Sequence, residues 1–186
     1  MRPSGGESPG AARAPAILPN PVEEAGRLID RASSLGLALR AVGGVAVWMR
    51  APSIREADPP RVFHDIDLVA WKRASRELAS LLEAEGYEPH RRFNTLAGDR
   101  LLFFDEPNER RIDVFLDRLE MCHTLDFADR LTQDPGTLTL ADLLLSKLQI
   151  VRLTDRDVAD VAALLADHAI IDDGSGIELG DRKSVV

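Results

Sequence analysis

Asp65 and Asp67 are separated by a single isoleucine in the run Arg61-Val62-Phe63-His64-Asp65-Ile66-Asp67-Leu68. On a β-strand, residues two apart project to the same face, about 6.5–7 Å from each other. Both carboxylates would then stand together while Ile66 and Leu68 turn the other way. Hard divalent cations take oxygen ligands, and carboxylates from one strand can hold or bridge them. The spacing alone is not specific, because Asp155-Arg156-Asp157 repeats it, and two solvated acids on an exposed strand face satisfy it equally. A third acid, Asp113, lies inside Arg111-Ile112-Asp113-Val114-Phe115, a short apolar segment in which a carboxylate needs a partner or water. If that segment runs beside the first, three carboxylates converge; otherwise Asp113 marks an exposed edge. Gly43-Gly44 falls between a strand-like run and a short helix-like one. Glycine lets backbone N–H groups approach a phosphate and a helix N-terminus favours the anion, although ordinary turns use the same pair.

Lys147 lies within the apolar pattern Leu140, Leu143, Leu144, Leu148, Val151, so a helix there would turn the ammonium inward, where it needs an anion. That anion is either a phosphate or a structural partner such as Asp157 or Asp160. Asp157 sits beside a Val158, Val161 and Leu165 face and would orient Lys147 or serve in the site directly; Asp155 reads as a first-turn helix acid. Arg61 could touch phosphate and His64 could tune the neighbouring acids, but both positions suit plain surface residues. Cys122 and His123 have no companions at zinc-ligand spacing. Trp48 and Trp71 read as packing residues.

The elements that must position these groups can be traced from periodicity and punctuation. Asn20 and Pro21 open a helix with Val22, Ala25, Leu28, Ile29 and Ala32 as its apolar stripe, closed by Gly36. A strand is predicted over 37–42, a short helix over 45–49, a proline-rich loop over 51–61 and a strand over 65–71. An amphipathic helix follows over 74–85, then strands over 101–104 and 111–116 joined by Asp105-Glu106-Pro107-Asn108, and a third strand near 122–125. Helices over 140–152 and 155–168 complete the pattern. This order implies an α+β fold, a mixed sheet flanked by helices and followed by a helical segment. The expected organisation is a disordered leader over 1–19, rich in Pro, Gly, Ala and Ser, a sheet domain over 20–136, a helical segment over 137–170 and a tail over 171–186.

Taken together, Leu39-Arg40-Ala41-Val42-Gly43-Gly44-Val45-Ala46, His64-Asp65-Ile66-Asp67-Leu68 and Arg111-Ile112-Asp113-Val114 resemble the polymerase-β-like nucleotidyltransferase superfamily, whose hallmark is a glycine pair, then D-x-D on the next strand, then a later acid. Leu143-Leu144-Leu145-Ser146-Lys147-Leu148-Gln149, followed by Arg156-Asp157-Val158-Ala159-Asp160, is most similar to the AbiEii-type toxins and other minimal nucleotidyltransferases. The resemblance spans 37–168. It departs from the family pattern in a longer interval between Gly44 and Asp65, and in His64 where Ser or Thr is common.

What the resemblance implies is a metal-dependent transfer of a nucleoside monophosphate from a nucleoside triphosphate to an acceptor hydroxyl. Asp65, Asp67 and Asp113 would be the catalytic residues and the ligands of Mg2+ or Mn2+, while Gly43, Gly44, Lys147 and Asp157 would serve the nucleotide. The implied acceptor is a tRNA, with a toxin-like role and a cognate antitoxin. The alternatives are an antibiotic-modifying transferase acting on an aminoglycoside or lincosamide, and a non-catalytic nucleotide-binding or antitoxin-like module.

The bulk properties bound these readings. The chain of 186 residues has a net charge of −8 and a pI near 5.0, so its surface as a whole repels nucleic acid, which favours a cationic small molecule over tRNA. A single cysteine excludes an internal disulfide and suits a reducing cytoplasm. No apolar run reaches membrane-span length. Asp181-Arg182-Lys183-Ser184-Val185-Val186 fits no element and matches the translation of a common sequencing adapter. The expectation is therefore an adapter-derived end on a natural chain that continues past Gly180.

Overall fold

The computed structural model describes residues 16–56, 60–171 and 176–178. The leader through residue 15 and the tail from 179 onward, including the adapter-like end, lie outside the described residues. The last residues expected to be leader are anchored rather than loose. The Leu18 amide donates to Glu24 Oε2 at 3.0 Å, and the Leu18 and Pro19 carbonyls accept from the Arg110 guanidinium.

Helix α1 (Pro21–Ser34) begins where its caps dictate. Asn20 Oδ1 accepts from the Val22 and Glu23 amides, Pro21 needs no donor at the first position, and Glu23 and Glu24 meet the positive end of the helix. Its stripe of Ala25, Leu28, Ile29 and Ala32 is buried. Strand β1 (Leu39–Val42) leads into α2 (Gly43–Arg50), which starts at the glycine pair itself rather than two residues later. The proline-rich insert forms a 3-10 turn, Pro52–Glu56, held against the C-terminal helix by the Ser53 amide on Asp167 Oδ2 at 2.9 Å.

Strand β2 (Asp65–Ala70), helix α3 (Ser75–Ala84), strand β3 (Glu88–Pro89), helix α4 (Arg91–Leu96), and strands β4 (Arg100–Asp105) and β5 (Arg110–Leu116) follow. They build a five-stranded sheet in the order β1-β2-β5-β4-β3. β2 and β5 run parallel, and the other pairs are antiparallel. A parallel pair requires a crossover, supplied here by everything from α3 to β4. Alternation divides the sheet into two faces. Ile66, Leu68, Ile112, Val114 and Phe103 are fully buried on one of them, and Leu101 and Phe103 meet α3 and α4 on that side. The opposite face carries Asp65, Asp67, Arg111, Asp113, Phe115 and Arg100.

A hairpin, β6 (Arg118–Glu120) with β7 (Thr124–Asp126), closes one end of the site. Helices α5 (Leu140–Leu148) and α6 (Asp155–Asp167), capped by Thr139 and Thr154, pack on α2. The expected α5 stripe is corrected. The helix stops at Leu148, leaving Leu148 and Val151 exposed, and the buried face is Leu140, Ala141, Asp142, Leu143, Ser146 and Lys147. The α6 face is corrected likewise: Val158 and Leu165 are exposed, and Asp160, Ala163 and Leu164 are buried.

Candidate active site

The parallel register sets Asp67 opposite Asp113 and Asp65 opposite Arg111. Paired residues on neighbouring strands share a face, so the three acids stand on one side of the sheet. On the other flank Val42 is paired with Asp67, which brings the start of α2 against the same carboxylate. Gly43 has φ +69°, and a Cβ there would collide with Asp67 Oδ2. Glycine is required at this position twice over, for its left-handed backbone and for the close approach.

Each acid has a different environment. Asp113 is 1% exposed; its Oδ1 accepts a hydrogen bond from Arg100 Nε at 3.0 Å and forms an ion pair with Arg100 Nη2 at 2.7 Å. Asp65 is more open, with Arg111 Nη2 3.6 Å from its Oδ2. Asp67 has no hydrogen-bond or ion-pair partner among the described residues. Burial, and then the charges of Asp65 and Asp113, push its pKa from 3.8 up to about 7, against the opposing pull of Lys147 and Arg100. An acid so perturbed is short of a cation.

Lys147 is 8% exposed and reaches Asp160 Oδ2 at 2.8 Å and Asp157 Oδ1 at 3.1 Å. Both structural partners anticipated from the sequence are engaged. Asp157 is also the third residue of α6 and completes a capping box with Thr154. Burial works against its charge, but hydrogen bonds from Thr154 and the Lys147 ammonium outweigh this and hold its carboxyl below the usual range. Asp160, fully buried, also pairs with Arg61 at 2.8 Å. Arg61 is therefore no idle loop residue. Its guanidinium lies against Gly44, where a Cβ would come within 2.7 Å of Nη2, and its Cζ is 5.4 Å from the Phe63 ring centroid. Sequence reasoning missed Arg100, because its contact with Asp113 depends on a long-range strand register.

A cavity of about 180 Å³ lies between Asp67 and Lys147. Gly43, Asp67, Ser146 and Lys147 supply its polar lining, and Phe115, Leu119, Met121 and Ile150 its apolar walls. Asp65, Asp113, Gly44 and Asp157 do not line it. His64 and Cys122 are exposed. Trp71 donates from Nε1 to the Ala128 carbonyl at 2.7 Å, and Trp48 meets Phe63 edge to face, so both tryptophans pack as expected.

Among the described residues no three His, Cys, Asp or Glu side chains are grouped closely enough to hold a metal ion as they stand. The donor chemistry nevertheless suits a hard divalent cation. Asp67 has no hydrogen-bond or ion-pair partner among the described residues, and Asp65, Asp67 and Asp113 offer only carboxylate oxygens, the donor class such a cation takes.

Neither a protein-family model nor a curated protein sequence matches the chain. Solved structures do. A lincosamide antibiotic adenylyltransferase, LnuA, with lincomycin bound, superposes with a TM-score of 0.50 at 15% identity, over 74% of this chain and 91% of that one. The fold is that of a nucleotidyltransferase. The antibiotic-resistance factor ANT(2'')-Ia, solved in solution, gives a TM-score of 0.48 at 12% identity, over 76% of this chain and 80% of that one. Among the described residues no helix is long and apolar enough to cross a membrane.

Proposed function

We propose that this protein transfers a nucleoside monophosphate from a nucleoside triphosphate to a hydroxyl of a small, partly apolar acceptor molecule. The observation that carries the reading is Asp67. It is an unpartnered carboxylate with its pKa raised to about 7, in register with Asp113, against the glycine that opens α2, in one cavity with Lys147.

Asp65, Asp67 and Asp113 would hold Mg2+ or Mn2+. Once bound, such a cation neutralises triphosphate charge and orients the leaving pyrophosphate. The chain's own residues do the rest. Val42 gives α2 no side-chain cap, so the first amides of that helix are open to a phosphate, and Gly43 and Gly44 let it approach. Lys147 adds a fixed cation at the cavity wall, and Asp157 and Asp160 set its position. The apolar walls exclude water and would receive the non-polar part of an acceptor.

The acid surface and the small cavity favour a compact, cationic acceptor, of the kind modified by antibiotic-resistance nucleotidyltransferases, over tRNA. The AbiEii-type resemblance implies tRNA and an antitoxin partner instead. The test incubates the protein with each α-32P-labelled nucleoside triphosphate and Mg2+ or Mn2+. Acceptors are lincosamides, aminoglycosides and total tRNA, with Asp67→Asn as the control. Label on a small molecule, lost in the variant, supports the proposal. Label on tRNA replaces the acceptor. Absence of transfer to every acceptor, together with no nucleotide binding, removes the enzymatic reading and leaves a non-catalytic module.

A further inference from the structure

The sheet face turned away from Asp67 carries a larger concavity, of about 450 Å³, a volume within the range of small-molecule sites. It runs between α3 and α4, with Leu101 and Phe103 of β4 as its floor. The local sequence opens it. Leu78, Leu81 and Leu82 bury one stripe of α3. Ser75, Ala79 and Glu83, spaced four apart on another stripe, line the groove with two small side chains and one charged one. Longer apolar side chains at the first two positions would fill it.

The opposite wall is pinned to the sheet. Strand β3 ends after two residues, and beside it Asn94 of α4 takes both backbone groups of Leu102. Its Nδ2 donates to the Leu102 carbonyl at 3.1 Å, and its Oδ1 accepts from the Leu102 amide at 2.7 Å. The His90 amide donates to the same carbonyl at 2.9 Å. These bonds hold α4 on β4, so the groove is shaped by the fold itself and does not wait on a ligand to form.

Its charge differs from that of the whole molecule. The chain carries −8 overall, yet the lining sets Arg76 and Arg91 against Glu83 alone, a net +1. Glu83 is engaged, because its Oε2 accepts from Arg91 Nη2 at 3.3 Å. Arg76 makes no hydrogen bond or ion pair among the described residues, and neither does the Ser75 hydroxyl beside it. A guanidinium left without a carboxylate in so acidic a chain is complementary to an anion from outside. The apolar floor is complementary to a hydrocarbon body. We propose that this groove binds a small organic monoanion, a carboxylate received by Arg76 and Ser75 on an apolar body that lies against Leu101 and Phe103. Neither nucleotide nor metal takes part, so the site stands whether or not the chain transfers nucleotides.

The full chain, labelled with 15N, is titrated with 2-naphthoate and followed by its amide chemical shifts in the absence of nucleotide. Saturable shifts should gather at Ser75, Arg76, Ala79, Asn94, Leu101 and Phe103. The neutral analogue 2-naphthylmethanol should bind about fivefold more weakly, the upper range for an exposed ion pair. Arg76→Glu exchanges that attraction for a repulsion and should weaken 2-naphthoate by about tenfold or more. Thr95→Trp keeps every charge but obstructs the groove from the α4 wall, and should abolish binding. Both substituted positions are exposed, and thermal melts establish that the variants are folded. Shifts confined to Gly43, Ser146 and Lys147 would put the anion in the Asp67 cavity and overturn the proposal. Equal affinity for the neutral analogue would overturn it too, as would wild-type affinity in either variant or no saturable binding at all.

Discussion

Gly43→Ala isolates the contact on which the site is built. At φ +69° an alanine costs about 1–2 kcal/mol in backbone energy. That alone should lower the melting temperature by about 2–8 °C for a chain of this size. The larger effect is steric. The new methyl would overlap Asp67 Oδ2, with Asp67 Cβ and Cγ each 3.2 Å away. Either the carboxylate rotates or α2 shifts, and both move Asp67 out of line with Asp113. A displacement of about 1 Å at a reacting centre costs on the order of 100-fold in rate. The variant should therefore remain folded, melt several degrees lower and lose at least about 100-fold in kcat/KM in the labelled-nucleotide assay. Gly44→Ala has no left-handed cost, and its Cβ meets the far end of Arg61 at 2.7 Å, so its effect should be smaller. A Gly43→Ala protein with wild-type melting and transfer would refute the assignment of this glycine to the site. So would a Gly44→Ala loss that exceeds it.

Asp67→Asn should abolish transfer yet stabilise the metal-free protein at neutral and alkaline pH. An acid whose folded pKa is about 7 against an ordinary 3.8 binds more protons folded than unfolded. The wild type thus loses stability as pH rises from about 4 to about 7, and the asparagine variant lacks that loss; urea melts at pH 5 and pH 8 read the difference. Asp160→Asn should destabilise by about 3–5 kcal/mol, the cost of stranding buried charges, because Arg61 and Lys147 both depend on it. Denaturant midpoints measure this, and a change below about 1 kcal/mol would show that the two cations find other partners. Asp65→Asn, the most exposed of the three acids, should leave stability within about 0.5 kcal/mol of wild type while impairing Mn2+ binding in the nucleotide complex.

The parts of this molecule legible in the sequence are those with period and punctuation. Asn20-Pro21 and the stripe of α1, the two-residue alternation around Asp65 and Asp113, and Asp155 in the first turn of α6 each fixed an element through local physics. Strand β3 and helix α4 were missed because two and six residues carry no readable period. The α5 stripe was extended too far because Val151 continues the helical spacing, although the helix has ended at Leu148. In the site, the inward Lys147 and its acid partners could be anticipated from position on one helix face. The two arginines could not. Arg100 meets Asp113 only through a strand register, and Arg61 meets Asp160 across 99 residues, a separation that local pattern does not encode.

The Asp160 carboxylate joins a loop that precedes the second strand to helices near the other end of the described chain. This makes the helical segment a poor candidate for modular exchange. A graft that borrowed α6 from another protein would have to bring an acid at that one position. A shortened form lacking α6 would confront a guanidinium and an ammonium across a gap with no counter-charge between them. The sheet and the helices behind it should therefore melt in one cooperative step, and a protease that severs the α5–α6 connection should find its two fragments still associated until the whole fold is lost.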